Sequence, residues 1–299
     1  MHHILTVPTA VRTFSRMLCG LAVLLLPWPS LAAGQVTAQV ACSNPSASRI
    51  EVFYVNGVTT TLDEARVNAG YLEREFLSRL SGFPAELQAV CYEFQLNYNP
   101  TDGEMGDFAE AGQQRVGLSP TAFWQGLHSA VVFAPLLGEL QQRVASASQI
   151  DQSAIDQHAA RYRQEILPPS CRRVLVVPHS QGNLYTNAAV DLVYTGPQPI
   201  PAAGSLKIVG VATPASIVKG DGRYRTSSGD SLINAIRLTF PSTLPANTSW
   251  GPMLLPLLTP MYSGGHSFIG YLTFDPSRTD VLADMQASLL ELMAANPCP

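Results

Sequence analysis

The sequence predicts an α/β fold in which a mostly parallel central sheet carries helices on both faces. Short apolar runs rich in β-branched residues recur along the chain, and such runs are typical of parallel strands buried on both faces. Longer segments with apolar residues at helical spacing separate them, as the crossover connections of parallel strands require. The chain has 299 residues, 46% of them hydrophobic, so it can bury the core of one such domain.

The N-terminal segment has the features of a signal peptide. Two arginines precede an apolar run, Met17 to Leu26, which is too short to span a bilayer. Ser30-Leu31-Ala32 then offers the small residues that a signal peptidase reads. We therefore expect residues 1–32 to be removed by cleavage after Ala32, with Ala33 as the second choice. Residues 33–299 would then form a single exported domain, secreted or periplasmic.

Charge and composition exclude several classes of partner. The chain has 18 basic and 22 acidic residues, and the leader contains two of the basic ones and no acidic one. The mature chain is therefore acidic and has no basic stripe, so we expect no nucleic-acid partner. No Cys-x-x-Cys pair or histidine cluster predicts a metal site, and no motif predicts an organic cofactor or a dedicated protein partner.

Four cysteines remain once the leader is removed: Cys42, Cys91, Cys171 and Cys298. An even number in an exported chain predicts two disulfide bonds, for which there are three connectivities. Each cysteine lies just before a predicted strand or after the last predicted helix, so all four should gather at the amino-terminal end of the sheet. This placement favours the pairs Cys42–Cys91 and Cys171–Cys298, and the other connectivities stay open.

The first strands and the first helix are predicted near the start of the mature domain. Ile50 to Val55 is rich in apolar and aromatic residues and ends in the turn Asn56-Gly57-Val58. Thr61 to Glu64 forms a capping box, and apolar residues recur at helical spacing until Gly82 ends the run. A second strand, Tyr92 to Tyr98, alternates apolar and polar residues, which favours a position near a sheet edge.

A long insertion follows this second strand. Asn99 to Ser170 is far longer than one crossover helix needs. We therefore predict a helical cap insertion over residues 99–150, whose two helices lie between about Ser119 and Val144. A third helix, from about Ile155 to Ile166, returns to the sheet. The two inserted helices either cover the site as a lid or belong to the core, and their apolar faces fit both interpretations.

The segment from Arg173 to Leu184 carries the clearest functional signal. An apolar run, Val174 to Val177, leads into His179-Ser180-Gln181-Gly182 and then into a helical segment. The pattern resembles the nucleophile elbow Gly-x-Ser-x-Gly, with Pro178 in place of the first glycine. In such an elbow the serine lies at a sharp strand-to-helix turn, with its hydroxyl exposed. On these residues the chain resembles the α/β-hydrolase family, specifically its secreted bacterial-type lipases and esterases.

The resemblance implies an oxyanion hole built from two backbone N–H groups. Gln181, the residue after the serine, would supply one of them. Val58 would supply the other, because it follows the glycine after the first strand, and Asn56 stands where many lipases have histidine. His179 is interpreted as a packing residue, because the neighbour of an elbow serine points away from that serine.

The triad acid and base should follow the serine in the order Ser, acid, His. A helix from Asn183 to Tyr194 and a strand from Leu206 to Ala212 come first. A short strand near Tyr224 then runs into Gly-Asp, so Asp230 is the predicted acid. Asp221, which lies between two glycines just before that strand, is the rival candidate.

His266 is the predicted base. It is the only histidine after Ser180, it follows flexible glycines, and the chain order requires the base to come last. Ser180 would attack the substrate, His266 would take and return the proton, and Asp230 would orient His266. The apolar loop from Pro241 to Met261 either forms a wall for an acyl chain or packs on the cap.

These observations predict an exported serine hydrolase that cleaves carboxylic esters through an acyl-enzyme intermediate. The substrate would be a small-molecule or lipid ester, with transient contact to a lipid interface if the inserted helices form a lid. Two alternatives stay open at this stage: a non-catalytic binding or scaffold protein of the same fold, and an acyltransferase that uses the same triad. The intact triad favours catalysis, since a binding protein has no need of a serine paired with a base.

Overall fold

A five-stranded sheet organises the structure. Its strands are β1 (Arg49–Val55), β2 (Cys91–Asn97), β3 (Arg173–Pro178), β4 (Leu206–Val211) and β5 (Arg223–Arg225). They lie in the order β2-β1-β3-β4-β5, and every neighbouring pair is parallel. The predicted α/β architecture is therefore confirmed. β2 lies at one edge of this sheet, as its alternating pattern predicts, and every residue of the central β3 is buried.

The computed structural model describes residues 48–57, 60–99, 152–197, 199–200, 204–230, 233–234, 236–237, 241–249 and 265–295. Three predicted segments lie wholly or mostly outside these ranges: the signal peptide, the helical cap insertion and the apolar loop before His266. The same is true of Cys42, Cys298 and Val58.

Six α-helices have described bounds: α1 (Leu62–Arg79), α2 (Ala85–Gln88), α3 (Gln152–Ile166), α4 (Gly182–Thr195), α5 (Phe268–Thr273) and α6 (Ser277–Ala294). A 3₁₀ turn, Leu80–Gly82, follows α1. The predicted capping box begins α1. The Thr61 hydroxyl accepts the Glu64 N–H at 3.3 Å, and the Glu64 carboxylate accepts the Thr61 N–H at 2.9 Å. None of the described helices is both long and apolar enough to cross a membrane.

Helices pack on both faces of the sheet and bury two separate apolar clusters. Successive side chains of β1 point to opposite faces, as in any strand. Val52 and Tyr54 lie in a cluster with residues of α1, α5 and α6. Phe53 and Val55 lie in a second cluster with residues of α3 and α4. Because each of these side chains is fully buried, each stabilises the fold by roughly 1.5–3 kcal/mol.

The connections after β1 and β3 run over opposite faces of the sheet. β1 leads towards β2 through α1, whereas α4 follows β3 on the other face. The carboxyl ends of these two neighbouring strands therefore form a topological switch point, and the crevice at such a point is where doubly wound sheets bind ligands. Gly57 follows β1 and Ser180 follows β3, so both residues lie at this crevice.

Two of the four predicted disulfide cysteines lie within the described residues. Cys91 is the first residue of β2, and Cys171 lies two residues before β3. Both are at the amino-terminal end of the sheet, as predicted, and both are disulfide-bonded. Their expected partners, Cys42 and Cys298, lie outside the described residues, so the connectivity stays a prediction.

Three glutamates surround one arginine near the same end of the sheet. Arg172 forms ion pairs with Glu51 of β1, with Glu93 of β2 at 3.1 Å and with Glu165 of α3 at 3.2 Å. Burial and then repulsion from Glu93 raise the pKa of Glu51 to about 7, although Arg172 acts in the opposite direction. The folded protein therefore keeps a proton on Glu51 at pH values where the unfolded chain has released it.

This proton should make the free energy of unfolding fall as the pH rises from 5 to 7.5. The ordinary pKa of Glu51 is 4.5, so the stabilisation is full below that value and is lost as the pH passes about 7. The loss from this group is about 2 kcal/mol. Glu51→Gln cannot titrate, so the variant should lose correspondingly less stability over the same interval, as measured by urea unfolding at both pH values.

Glu86→Gln is the matched control for this experiment, because Glu86 is exposed on the surface. The control variant should show the same pH dependence of unfolding as the wild type. Equal losses of stability in the wild type and in Glu51→Gln would contradict the assignment of the proton to Glu51.

Candidate active site

Ser180 lies at the apex of the turn between β3 and α4. Its backbone φ is +53°, in the left-handed region, which costs a residue with a side chain about 1–2 kcal/mol. Backbone hydrogen bonds on both sides hold the turn. The His179 N–H donates to Val55 at the end of β1 at 2.9 Å, and the Ser180 N–H donates to Val211 at the end of β4 at 3.0 Å. Ser180 therefore lies at a sharp strand-to-helix turn, which is the geometry that the sequence pattern predicts.

Two glycines allow the elbow to lie close to the end of β1. A Cβ atom on Gly57 would lie 2.5 Å from the Cβ of Ser180. A Cβ atom on Gly182 would lie 2.6 Å from the carbonyl oxygen of Asn56 and 2.7 Å from that of Val55. All three distances are below 3.0 Å, which real Cβ atoms essentially never show, so both positions require glycine. Pro178, which replaces the first glycine of the usual pattern, is the last residue of β3 and pairs with Val55.

The three predicted triad residues meet in one buried chain of hydrogen bonds. The Nε2 atom of His266 lies 2.8 Å from the hydroxyl of Ser180. The Nδ1 atom of His266 lies 2.9 Å from Oδ2 and 3.1 Å from Oδ1 of Asp230. Exposed fractions of Ser180, Asp230 and His266 are 3%, 0% and 7%. These three side chains have the arrangement required to activate a serine hydroxyl.

The rival acid, Asp221, lies elsewhere. It is an exposed residue of the turn between β4 and β5, where the Gly222 N–H donates to Lys219 at 3.1 Å. Asp230 follows β5 and so reaches the carboxyl end of the sheet, where Ser180 lies. Among the two candidates, the structure places only Asp230 beside His266.

A close backbone contact joins the segment that contains His266 to the segment that contains Asp230. Gly265, just before His266, has a φ of +87°, and a Cβ atom there would lie 2.6 Å from the carbonyl oxygen of Gly229. Only glycine fits this position. The Ile233 N–H donates to Oδ1 of Asp230 at 3.0 Å, and the Tyr271 hydroxyl donates to Oδ2 at 2.9 Å. Sequence reasoning did not identify Tyr271, because a buried tyrosine at helical spacing is usually a core residue.

His179 packs against His266. The sequence predicted a packing role for His179 but did not identify its partner. Its Nε2 donates to the carbonyl oxygen of His266 at 2.8 Å, and the two imidazole rings lie 4.9 Å apart. The Phe268 ring also packs on His179, at 5.5 Å between centroids. Burial, and then the neighbouring His266, hold the pKa of His179 well below 6.5. His179 is therefore a neutral support for the backbone of the base.

Asn56 fixes the chain that leaves β2 beside the elbow. Its side chain accepts the Asn99 N–H at 2.7 Å and donates to the Asn99 carbonyl at 2.8 Å. The Asn99 amide in turn donates to the side chain of Gln181 at 3.2 Å. Asn followed by Gly predicts an ordinary turn, so no local signal could have identified this contact across 43 residues.

Of the two residues predicted for the oxyanion hole, Gln181 lies within the described residues and Val58 does not. Gln181 is buried at the N-cap of α4, where backbone N–H groups of the first turn point along the helix axis. Val58 lies outside the described residues, so its role stays a prediction. Within the described ranges, no group of three or more His, Cys, Asp or Glu side chains could hold a metal ion.

The chain was compared with models of protein families, with curated proteins and with solved structures, and none of them matched. Function is therefore inferred from the arrangement of the side chains at the crevice.

Gly57→Ala should lower the ester turnover of the protein, although Gly57 is not one of the three triad residues. The new methyl group would force Ser180 away from His266, so turnover by the folded variant should fall by about 100-fold or more, since small displacements at a reacting centre have effects of this size. Ester turnover and thermal unfolding should be measured together.

Gly70→Ala is the matched control, because a Cβ atom there meets nothing within 4 Å. Gly70 lies inside α1, so this change should leave turnover intact and stabilise the protein by up to about 1 kcal/mol. Full activity in Gly57→Ala would show that the elbow tolerates the displacement.

Proposed function

We propose that the protein is an exported serine hydrolase of the α/β-hydrolase fold, which cleaves carboxylic esters. The hydrogen-bonded chain from Ser180 through His266 to Asp230 is the observation that carries the proposal. The order of these residues along the chain, Ser, Asp, His, is the order that this fold uses. The strained serine at the end of a buried parallel strand supports the same conclusion.

The proposed reaction begins at the Ser180 hydroxyl. Its oxygen attacks the ester carbonyl while Nε2 of His266 takes its proton. Asp230 binds the proton on Nδ1, which leaves Nε2 free to act as the base, and its carboxylate stabilises the imidazolium that forms. The tetrahedral intermediate then expels the alcohol, which receives the proton from His266. Water, activated by the same imidazole, hydrolyses the acyl-enzyme and restores Ser180.

The negative oxygen of the tetrahedral intermediate would be stabilised at the crevice. Gln181 is the N-cap residue of α4, and the amino-terminal end of a helix favours negative charge. Val58 is proposed as the second donor, because it follows Gly57, whose Cα lies close to Ser180. The contact from Asn99 to the Gln181 side chain supports the first turn of α4 against the end of β2.

A purely binding role would leave the strain and the buried triad without a purpose. A serine in the left-handed region destabilises the fold, and such strain persists mainly at functional sites. A buried imidazole between a hydroxyl and a carboxylate provides acid and base chemistry, which a scaffold does not need. These observations favour a catalyst over a binding module.

Sequence patterns support the proposed compartment and the proposed substrate class. The predicted leader over residues 1–32 and the even number of mature cysteines support a secreted or periplasmic location. The apolar residues predicted for the cap and for the loop before His266 are compatible with a small-molecule or lipid ester, with transient contact to a lipid interface if the inserted helices form a lid. The reaction proposed requires no cofactor.

Replacing Ser180 or His266 by alanine should lower the turnover of a short p-nitrophenyl ester by about 10⁴-fold or more. The double variant should be scarcely less active than either single variant, because the two residues work as one unit. Asp230→Asn should cost somewhat less. Steady-state kinetics on all four proteins measures these effects.

Asp221→Asn is the control, because it removes the same charge from an exposed turn. It should keep turnover within about twofold of the wild type, as expected for a surface substitution. Losses that add in the double variant, or a larger loss in Asp221→Asn than in Asp230→Asn, would contradict the proposed roles.

A further inference from the structure

The Tyr271 hydroxyl contacts the carboxylate of the triad acid, Asp230. Tyr271 belongs to α5, which begins two residues after His266, and its side chain is fully buried. The hydroxyl accepts the Ser227 N–H at 2.8 Å and lies 2.9 Å from Oδ2 of Asp230. An ionised carboxylate only accepts hydrogen bonds, so the phenol proton must point to Asp230.

Both oxygens of Asp230 are held by donors. Oδ2 accepts the Tyr271 hydroxyl and Nδ1 of His266, each at 2.9 Å. Oδ1 accepts the Ile233 N–H at 3.0 Å. These contacts from two chain segments fix the plane of the carboxylate. Without the Tyr271 donor, Oδ2 would have no described side-chain partner other than His266 to set its direction.

We infer that Tyr271 is a positioning residue, which aligns Asp230 with His266 and draws negative charge from the carboxylate. The inference rests on the function proposed above for Ser180, His266 and Asp230. Because Tyr271 is fully buried and contacts Asp230, it acts through Asp230 and touches neither the substrate nor the reacting atoms.

The ionisation of Tyr271 supports this role. Burial, and then the negative charge of Asp230, raise the pKa of Tyr271 well above 10, so the hydroxyl stays a donor at neutral pH. Among the described residues, His179 packs on His266 and is neutral, and the positive charge of Arg237 lowers the pKa of Tyr271.

Tyr271→Phe removes the hydroxyl and keeps the ring. The freed carboxylate can rotate, so kcat should fall about 10-fold, while KM should stay within about twofold because substrate contacts are unchanged. Without this donor, Oδ2 of Asp230 would also keep more of its negative charge, which stabilises the imidazolium form of His266. The acid limb of the kcat/KM profile should therefore move to higher pH by about half a unit.

Tyr71→Phe is the matched control. The Tyr71 hydroxyl lies 2.8 Å from the hydroxyl of Thr273, the last residue of the same short helix. The control removes one phenol hydroxyl bonded to α5 without touching Asp230. It should keep the kcat, the KM and the pH profile of the wild type.

A second variant covers the case in which Tyr271→Phe fails to fold, since that change leaves the Ser227 N–H without its acceptor. Incorporation of 3-fluorotyrosine at position 271 keeps the hydroxyl but makes it a stronger donor. The stronger donor draws more charge from Asp230, so the acid limb should move to lower pH. If the acid limb moves in opposite directions in the two variants, Tyr271 acts as a hydrogen-bond donor to Asp230.

An activity-independent measurement separates this inference from the proposed function. The proton between His266 Nδ1 and Asp230 should give a low-field proton resonance in the unliganded protein. Tyr271→Phe should move it downfield, 3-fluorotyrosine should move it upfield, and Tyr71→Phe should leave it in place. A protein that cleaves no ester would overturn the proposed function and leave this test intact. If Tyr271→Phe matched Tyr71→Phe in both resonance and pH profile, the role of Tyr271 would be refuted.

Discussion

The left-handed turn at Ser180 is the constraint on which the site depends. The turn is strained, and two backbone hydrogen bonds attach it to the ends of β1 and β4 on either side of β3. Those bonds bring the serine so close to the end of β1 that Gly57 and Gly182 can carry no side chain. The sheet order then places this turn where the connections after β1 and β3 diverge, so the serine faces a crevice.

His266 and Asp230 follow Ser180 in the chain, and contacts with the turn at Ser180 hold the segment of His266 in place. His179, the residue before the serine, donates to the carbonyl of His266 and packs against its ring. Gly265 allows the segment of the base to touch the segment of the acid at Gly229. The three catalytic candidates therefore depend on contacts among three chain segments, and each segment is locked by a buried hydrogen bond or a close backbone contact.

The strands, the main helices and the meeting of Ser180, Asp230 and His266 could be predicted from sequence, because each has a local signal or follows the chain order that the resemblance implies. Ser180 follows an apolar strand and precedes a glycine, and His266 is the only histidine downstream of it. The supporting contacts have no such signal. Tyr271 resembles any core tyrosine of a short helix, and the pair of hydrogen bonds between Asn56 and Asn99 joins residues 43 positions apart. Their roles depend on the tertiary packing, which a single sequence does not reveal.

The central claim is that Ser180 is an activated nucleophile, and covalent labelling tests it most directly. Incubation with a fluorophosphonate ester, followed by digestion and mass spectrometry of the peptides, locates the modified residue without any assumption about the natural substrate. The account predicts one phosphonyl group per chain, on Ser180, and no labelling of Ser180→Ala or of the unfolded protein. A folded protein that stays unlabelled, or that is labelled on another residue, would contradict it.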